Sequence, residues 1–130
     1  LEAKVAASDP QRVLPDWDRR QRSGLLSQDL ADLGLAPSEA VETGRLVTSA
    51  VILGTVYVLE GSRLGGALLA RSVPEGFPKR FLASSDPALW RTLIELLDDV
   101  LVTEDDQRLA IDAAKSAFAR FSSSASIFQG

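Results

Sequence analysis

Residues Tyr57–Val73 read YVLEGSRLGGALLARSV, the end of an apolar helical run that nevertheless carries glycine at 61, 65 and 66. A glycine in a helix interior is less stable than alanine by roughly 0.5–1 kcal/mol, so three of them forgo about 1.5–3 kcal/mol. Gly61 and Gly65 are four residues apart and therefore share one helix face, which is left without side chains. Two kinds of neighbour explain a bare face. One is a second helix packed backbone to backbone, and the other is a flat, rigid ligand lying against the main chain.

Working outward, the pattern stays helical from about Ser38, after Pro37, to Ser72. At 1.5 Å per residue that is a rod of about 50 Å, long enough for a small domain to predict a kink or break at Gly44, Gly54 or the 61–66 cluster. Upstream, residues 1–7 read as a helix tail stopped by Ser8-Asp9-Pro10. Asp16 is placed to cap a helix running to about Leu33, with Trp17, Leu25, Leu26, Leu30 and Leu33 on its apolar side and Gly34 ending it. The cluster Arg19, Arg20 and Arg22 then reads as a solvated face. Downstream, SVPEGFPKR is a surface loop. The next helix has Ser85 or Asp86 as cap, Pro87 in its first turn and Leu89, Leu93, Ile94, Leu96, Leu97 and Leu101 along one side. A last helix starts at the Thr103 cap, with Asp106 near the capping-box position and Leu109, Ile111, Ala114, Phe118 and Phe121 inward, before the frayed SSSASIFQG. No strand-like alternation competes, and the expected architecture is an all-α bundle forming a single domain over residues 1–130.

Composition narrows the chemistry. With 130 residues, 45% of them apolar and 25% charged, the chain can build a real core. A net charge of −4 argues against binding to a phosphate backbone, so no nucleic-acid partner is expected. The chain has no cysteine and no histidine, which removes thiolate chemistry and the commonest ligand of zinc and haem iron. The longest uncharged apolar run, Leu46 to Leu59, is 14 residues, short of the roughly 20 that span a membrane, so no membrane partner is expected and the location reads as cytoplasmic. A chain that lacks methionine and begins LEAKVAAS is expected to continue upstream.

The acidic groups Asp98-Asp99 and Glu104-Asp105-Asp106 sit where a helix ends and another begins, so capping explains them and no metal site is expected. The segment Gly61-Ser-Arg-Leu-Gly65-Gly66 lacks both the Lys-Ser/Thr of a phosphate loop and the spacing of a dinucleotide fingerprint.

YVLEGSRLGG resembles the distal-helix signature of the haem oxygenase family, in particular the bacterial biliverdin-forming members that supply bacteriophytochromes. VLPDWDRRQRSGLLSQDLADLGL is similar to the segment before that helix, and TEDDQRLAIDAAKSAF to the C-terminal pocket helix with its A-K-x-A-F ending, so the resemblance covers about residues 13 to 121. It implies a haem oxygenase-like bundle with a glycine-kinked distal helix. The implied reaction is oxidative cleavage of haem, both cofactor and substrate, to biliverdin, CO and iron, with O₂ and electrons from a reductase or ferredoxin and a bacteriophytochrome as recipient. Gly61, Gly65 and Gly66 would lie against the porphyrin, Phe118 would touch its edge, and Ser62 would hold a proton-relay water where many relatives carry aspartate. Arg63 receives no role. The family's axial histidine lies on an earlier helix, so the chain is expected to lack that helix. A haem-free binding or regulatory module of the same fold is the alternative.

Overall fold

A computed structural model describes residues 1–36, 48–84 and 86–129, with side chains of 124–129 left aside. Among the described residues six α-helices form: α1 (Glu2–Ala6), α2 (Trp17–Arg20), α3 (Ser23–Asp32), α4 (Ser49–Ala70), α5 (Pro87–Val100) and α6 (Glu104–Gln129), with a 3-10 turn at Pro10–Arg12 between α1 and α2. Among the described residues there is no strand, and the fold is all-α as expected. Val5, Leu14, Trp17, Ile52, Leu53, Val56 and Leu93 are fully buried and form the core, so α4 is the central element and α1, α2 and α5 close round it.

Local chemistry explains the helix ends. The Thr48 side chain accepts from the Val51 amide at the start of α4, Asp86 accepts from Ala88 with Pro87 in the first turn of α5, and Thr103 accepts from Asp106 at the start of α6. Each satisfies an amide that the helix itself leaves unpaired. Gly34 and Gly76 take positive φ values of 75° and 92°, which glycine adopts without steric penalty. The expectation of a kink at Gly44 falls outside the described residues. From Ser49 to Ala70 the α-helical pattern runs unbroken through Gly54 and the 61–66 cluster.

The direction of the helices follows from their contacts. Arg20 reaches both Leu89, near the start of α5, and Glu60 of α4. Trp90 meets Tyr57, and Leu97 lines a cavity with Gly54, so α5 runs antiparallel to α4. Leu101, Val102 and Thr103 turn the chain, and α6 then packs against α4.

Four expectations are corrected. The helix foreseen from Asp16 to Leu33 is split at Gln21, whose ψ of 133° is extended. Asp16 does not cap it but grips Arg20 at 2.7 and 3.0 Å, and Glu2, remote in sequence, accepts from the amides of Arg22 and Ser23 and so starts α3. The arginine cluster is solvated only at Arg19: Arg20 and Arg22 are buried, Arg20 against Asp16 and the Leu89 carbonyl, Arg22 against the Leu59 carbonyl and the Ser62 hydroxyl. On α6 the inward residues are Ala110 and Ala117, while Leu109, Ile111, Phe118 and Phe121 are exposed. Small side chains win that face because α6 touches α4 through main chain. Finally, the tail SSSASIF continues α6 as helix to Gln129.

Candidate functional site

The glycines of α4 divide into two kinds. A methyl group on Gly54 would run into the Ala110 carbonyl of α6, and one on Gly66 would lie 3.1 Å from the Leu82 carbonyl oxygen of the α4–α5 loop. Gly61 and Gly65 have no described atom within 4 Å of where a side chain would begin. Helix packing therefore accounts for Gly54 and Gly66, and it does not account for Gly61 and Gly65.

Tyr57, Gly61 and Gly65 follow one another at four-residue spacing and line one side of α4. The Tyr57 ring is exposed apart from a tilted contact with Trp90 at 5.4 Å between centroids. Phe118, on α6, is 64% exposed, and no described contact joins it to Gly61 or Gly65. Between α4, α5 and α6 is an open cavity of about 720 Å³, lined by Tyr57, Gly54, Leu97, Leu101, Ile111 and Ala114. That volume lies within the range of small-molecule sites. The cavity reaches from Gly54 to Tyr57, one turn short of Gly61.

Ser62 is held on two sides. Its hydroxyl donates to the Leu59 carbonyl at 2.6 Å and accepts from the Arg22 guanidinium at 2.8 Å. The same Arg22 nitrogen also donates to the Leu59 carbonyl at 3.0 Å, and the guanidinium lies 4.5 Å over the Phe81 ring. Burial, then repulsion by Arg63, lowers the Arg22 pKa, and Glu60 and Glu2 oppose the shift. A hydroxyl with its proton committed and one lone pair used has one lone pair left, with which it can accept from a water.

Phe81 belongs to a tether that fixes the α4–α5 loop. Asp29 accepts from the Phe81 amide at 2.9 Å and from Arg80 at 3.2 Å, and Arg80 also binds Asp32 at 2.6 Å. Burial alone would raise the Asp29 pKa, but the hydrogen bonds from Phe81 and Arg80 hold it below the ordinary aspartate value.

On the opposite side of α4 from the open glycines lies a buried ionic cluster. Arg20, with a fully buried side chain, binds Asp16 and the Leu89 carbonyl and stands 3.5 Å from Glu60. Arg63 stands 3.5 Å from the other Glu60 oxygen and donates to the Arg20 carbonyl at 2.9 Å, satisfying an acceptor at the C-terminus of α2. Sequence reasoning missed these residues and Tyr57. The available signal was Glu60 and Arg63 three residues apart within an apolar helix, where a charge pair facing one way implies mutual burial. Among the described residues no group of three histidine, cysteine, aspartate or glutamate side chains could hold a metal ion.

The all-α scaffold is the fold class that the haem oxygenase resemblance implies. Heme oxygenase PigA of Pseudomonas aeruginosa is 34% identical to this chain over 120 residues, which is 85% of this chain and 61% of that protein. A heme oxygenase of Xanthomonas campestris pv. campestris is 34% identical over 112 residues, 81% of this chain and 67% of that protein. The chain belongs to the haem oxygenase family. It spans about two thirds of the length of these relatives, 61% and 67%. No family model matches it.

Proposed function

We propose that the chain serves the oxidative cleavage of haem to biliverdin, CO and iron, with O₂ and an external electron donor such as a reductase or ferredoxin. The observation that carries this reading is the open Gly61–Gly65 face: family membership gives the substrate class, and among the described residues these glycines have no packing neighbour to explain them. The residues present fit one wall of a slot for a flat macrocycle. Main chain at Gly61 and Gly65 would lie against its plane, and the exposed rings of Tyr57 and Phe118 would give it apolar contact. Gly66 is turned towards Leu82 and contributes by letting α4 approach the loop, not by facing the slot.

Bound haem supplies both the iron that activates O₂ and the carbon that is oxidised. The chain's own part is positional. A side chain at Gly61 or Gly65 would occupy the slot, so their absence sets how close the macrocycle can come. Ser62, pinned by Arg22 and Leu59, offers a fixed acceptor to an ordered water, through which a proton can be delivered to the slot. None of the 130 residues is histidine, so a histidine that held the iron would have to come from outside them. In this reading the protein is cytoplasmic. α4 is long and apolar enough to cross a membrane by length and composition, but it is the core helix, with Ile52, Leu53 and Val56 fully buried. A bacteriophytochrome is the proposed recipient of the product.

The test is a hemin titration followed by reductant and O₂. A Soret band that converts to a biliverdin spectrum supports the reading, and Ser62→Ala should slow conversion while leaving the Soret titration intact. The lack of histidine favours one second reading, a haem-free binding module of the same fold. No Soret band at all would establish that module over the enzyme.

A further inference from the structure

We propose that Glu60 is a positioning residue: its carboxylate, caught between Arg20 and Arg63 behind α4, sets the rotation at which the bare Gly61–Gly65 face is presented. The inference rests on the haem reading above and deepens it.

Glu60 and Arg63 flank Gly61 and Ser62 in sequence, yet both are buried, at 3% and 5% exposure, where Gly65 is exposed. At about 100° per residue, Gly61 and Gly65 point roughly 130–170° away from the direction midway between Glu60 and Arg63. The turn that is bare in front is therefore clamped from behind. The clamp joins three elements. Arg20 ties Glu60 to α2 and, through the Leu89 carbonyl, to α5, while Arg63 returns from α4 to the last carbonyl of α2. The Arg20 Nη1 and Arg63 Nε atoms are buried and have no hydrogen-bond partner, each standing 3.5 Å from Glu60. Their charge is thus balanced by Glu60 through space, and no other described carboxylate is paired with Arg63. A buried pair of this kind adds little net stability compared with apolar packing, but removing one partner is strongly unfavourable. What it supplies is orientation. Apolar contacts tolerate a few degrees of helix rotation, whereas the hydrogen bonds from Arg63 to the Arg20 carbonyl and from Arg20 to Asp16 and the Leu89 carbonyl, made by guanidinium groups that the Glu60 charge holds in place, do not.

The experiment compares Glu60→Gln with the wild-type chain and with Leu93→Ala, a core variant that lowers stability without touching the cluster. Amide hydrogen exchange without hemin reads the clamp alone. Glu60→Gln should speed exchange at residues 61–66 by about tenfold or more relative to the rest of α4, where Leu93→Ala speeds the core generally. Hemin titration reads the consequence: a dissociation constant raised about tenfold in Glu60→Gln and still raised in Glu60→Gln/Arg63→Gln, where the charges balance again but the clamp is gone, whereas recovery in the double variant would show that unbalanced charge and not orientation was lost. Should Glu60→Gln fail to fold, Arg63→Lys, which keeps the charge and loses the fork, takes the same two measurements. Even loss of protection along α4, or unchanged hemin affinity in a folded variant, overturns the inference. Absence of a Soret band in the wild-type chain overturns the haem reading instead, and the exchange pattern then decides the clamp by itself.

Discussion

Two pairs of glycines on one helix do opposite things. Gly54 and Gly66 are buried, each pressed against a neighbouring carbonyl, whereas Gly61 is half-buried and Gly65 exposed, and no described atom comes near either. The first pair removes side chains so that protein can approach protein. For the second no described residue supplies a reason. One residue type at similar spacing thus serves packing at some positions and, in our reading, substrate at others, and only the surroundings tell them apart.

The comparison can be broken from its strong end. Gly54→Ala should destabilise by about 1–3 kcal/mol or more, since the new methyl meets main chain that cannot swing aside. Urea unfolding measures it, and a neutral result would mean that α4 and α6 are not in backbone contact. Gly66→Ala should be milder, about 1 kcal/mol destabilising, because Leu82 must move by a few tenths of an ångström while the preceding Phe81 amide is held by Asp29. Gly65→Ala and Gly61→Ala should run the other way. Each gains about 0.5–1 kcal/mol of helix stability, while Gly65→Val should weaken or abolish hemin binding in a chain that melts no earlier than wild type. Equal destabilisation at all four positions would erase the distinction.

The smallest effect concerns the tether beneath Phe81. Asp29 has a folded pKa below its unfolded value, so its contribution is fully present above about pH 4 and is lost as pH falls through the folded value. Asp29→Asn should therefore narrow the stability gap to wild type as the solution is taken to low pH, with the difference at neutral pH read from urea midpoints. A gap that widened on acidification would contradict the shift.

Much of the fold was legible. Thr103, Asp86 and Pro87 mark helix starts through backbone amides a few residues away, and Gly34 marks an end, so local rules suffice there. The bare strip was legible from its motif, because Gly61 and Gly65 stand four residues apart, while Phe118 was named by family resemblance alone. What escaped depends on residues distant in sequence. Arg20 and Arg22 read as a solvated face because their partners, Glu60, Leu59, Ser62 and Leu89, lie 37 to 69 residues away. The α6 face was misjudged because large apolar residues outrank alanine on any hydrophobicity scale, and only contact with Gly54 shows that small size decides there.

The sequence by itself determined that this chain is helical, where most of its helices begin and end, and which helix carries a strip of bare backbone, because these follow from hydrogen bonds and periodicities within a few residues. The tertiary structure decided which glycines are filled by protein and which are open, and which arginines are inside. Those are properties of space between helices, and that space is set by groups brought together only when the chain folds.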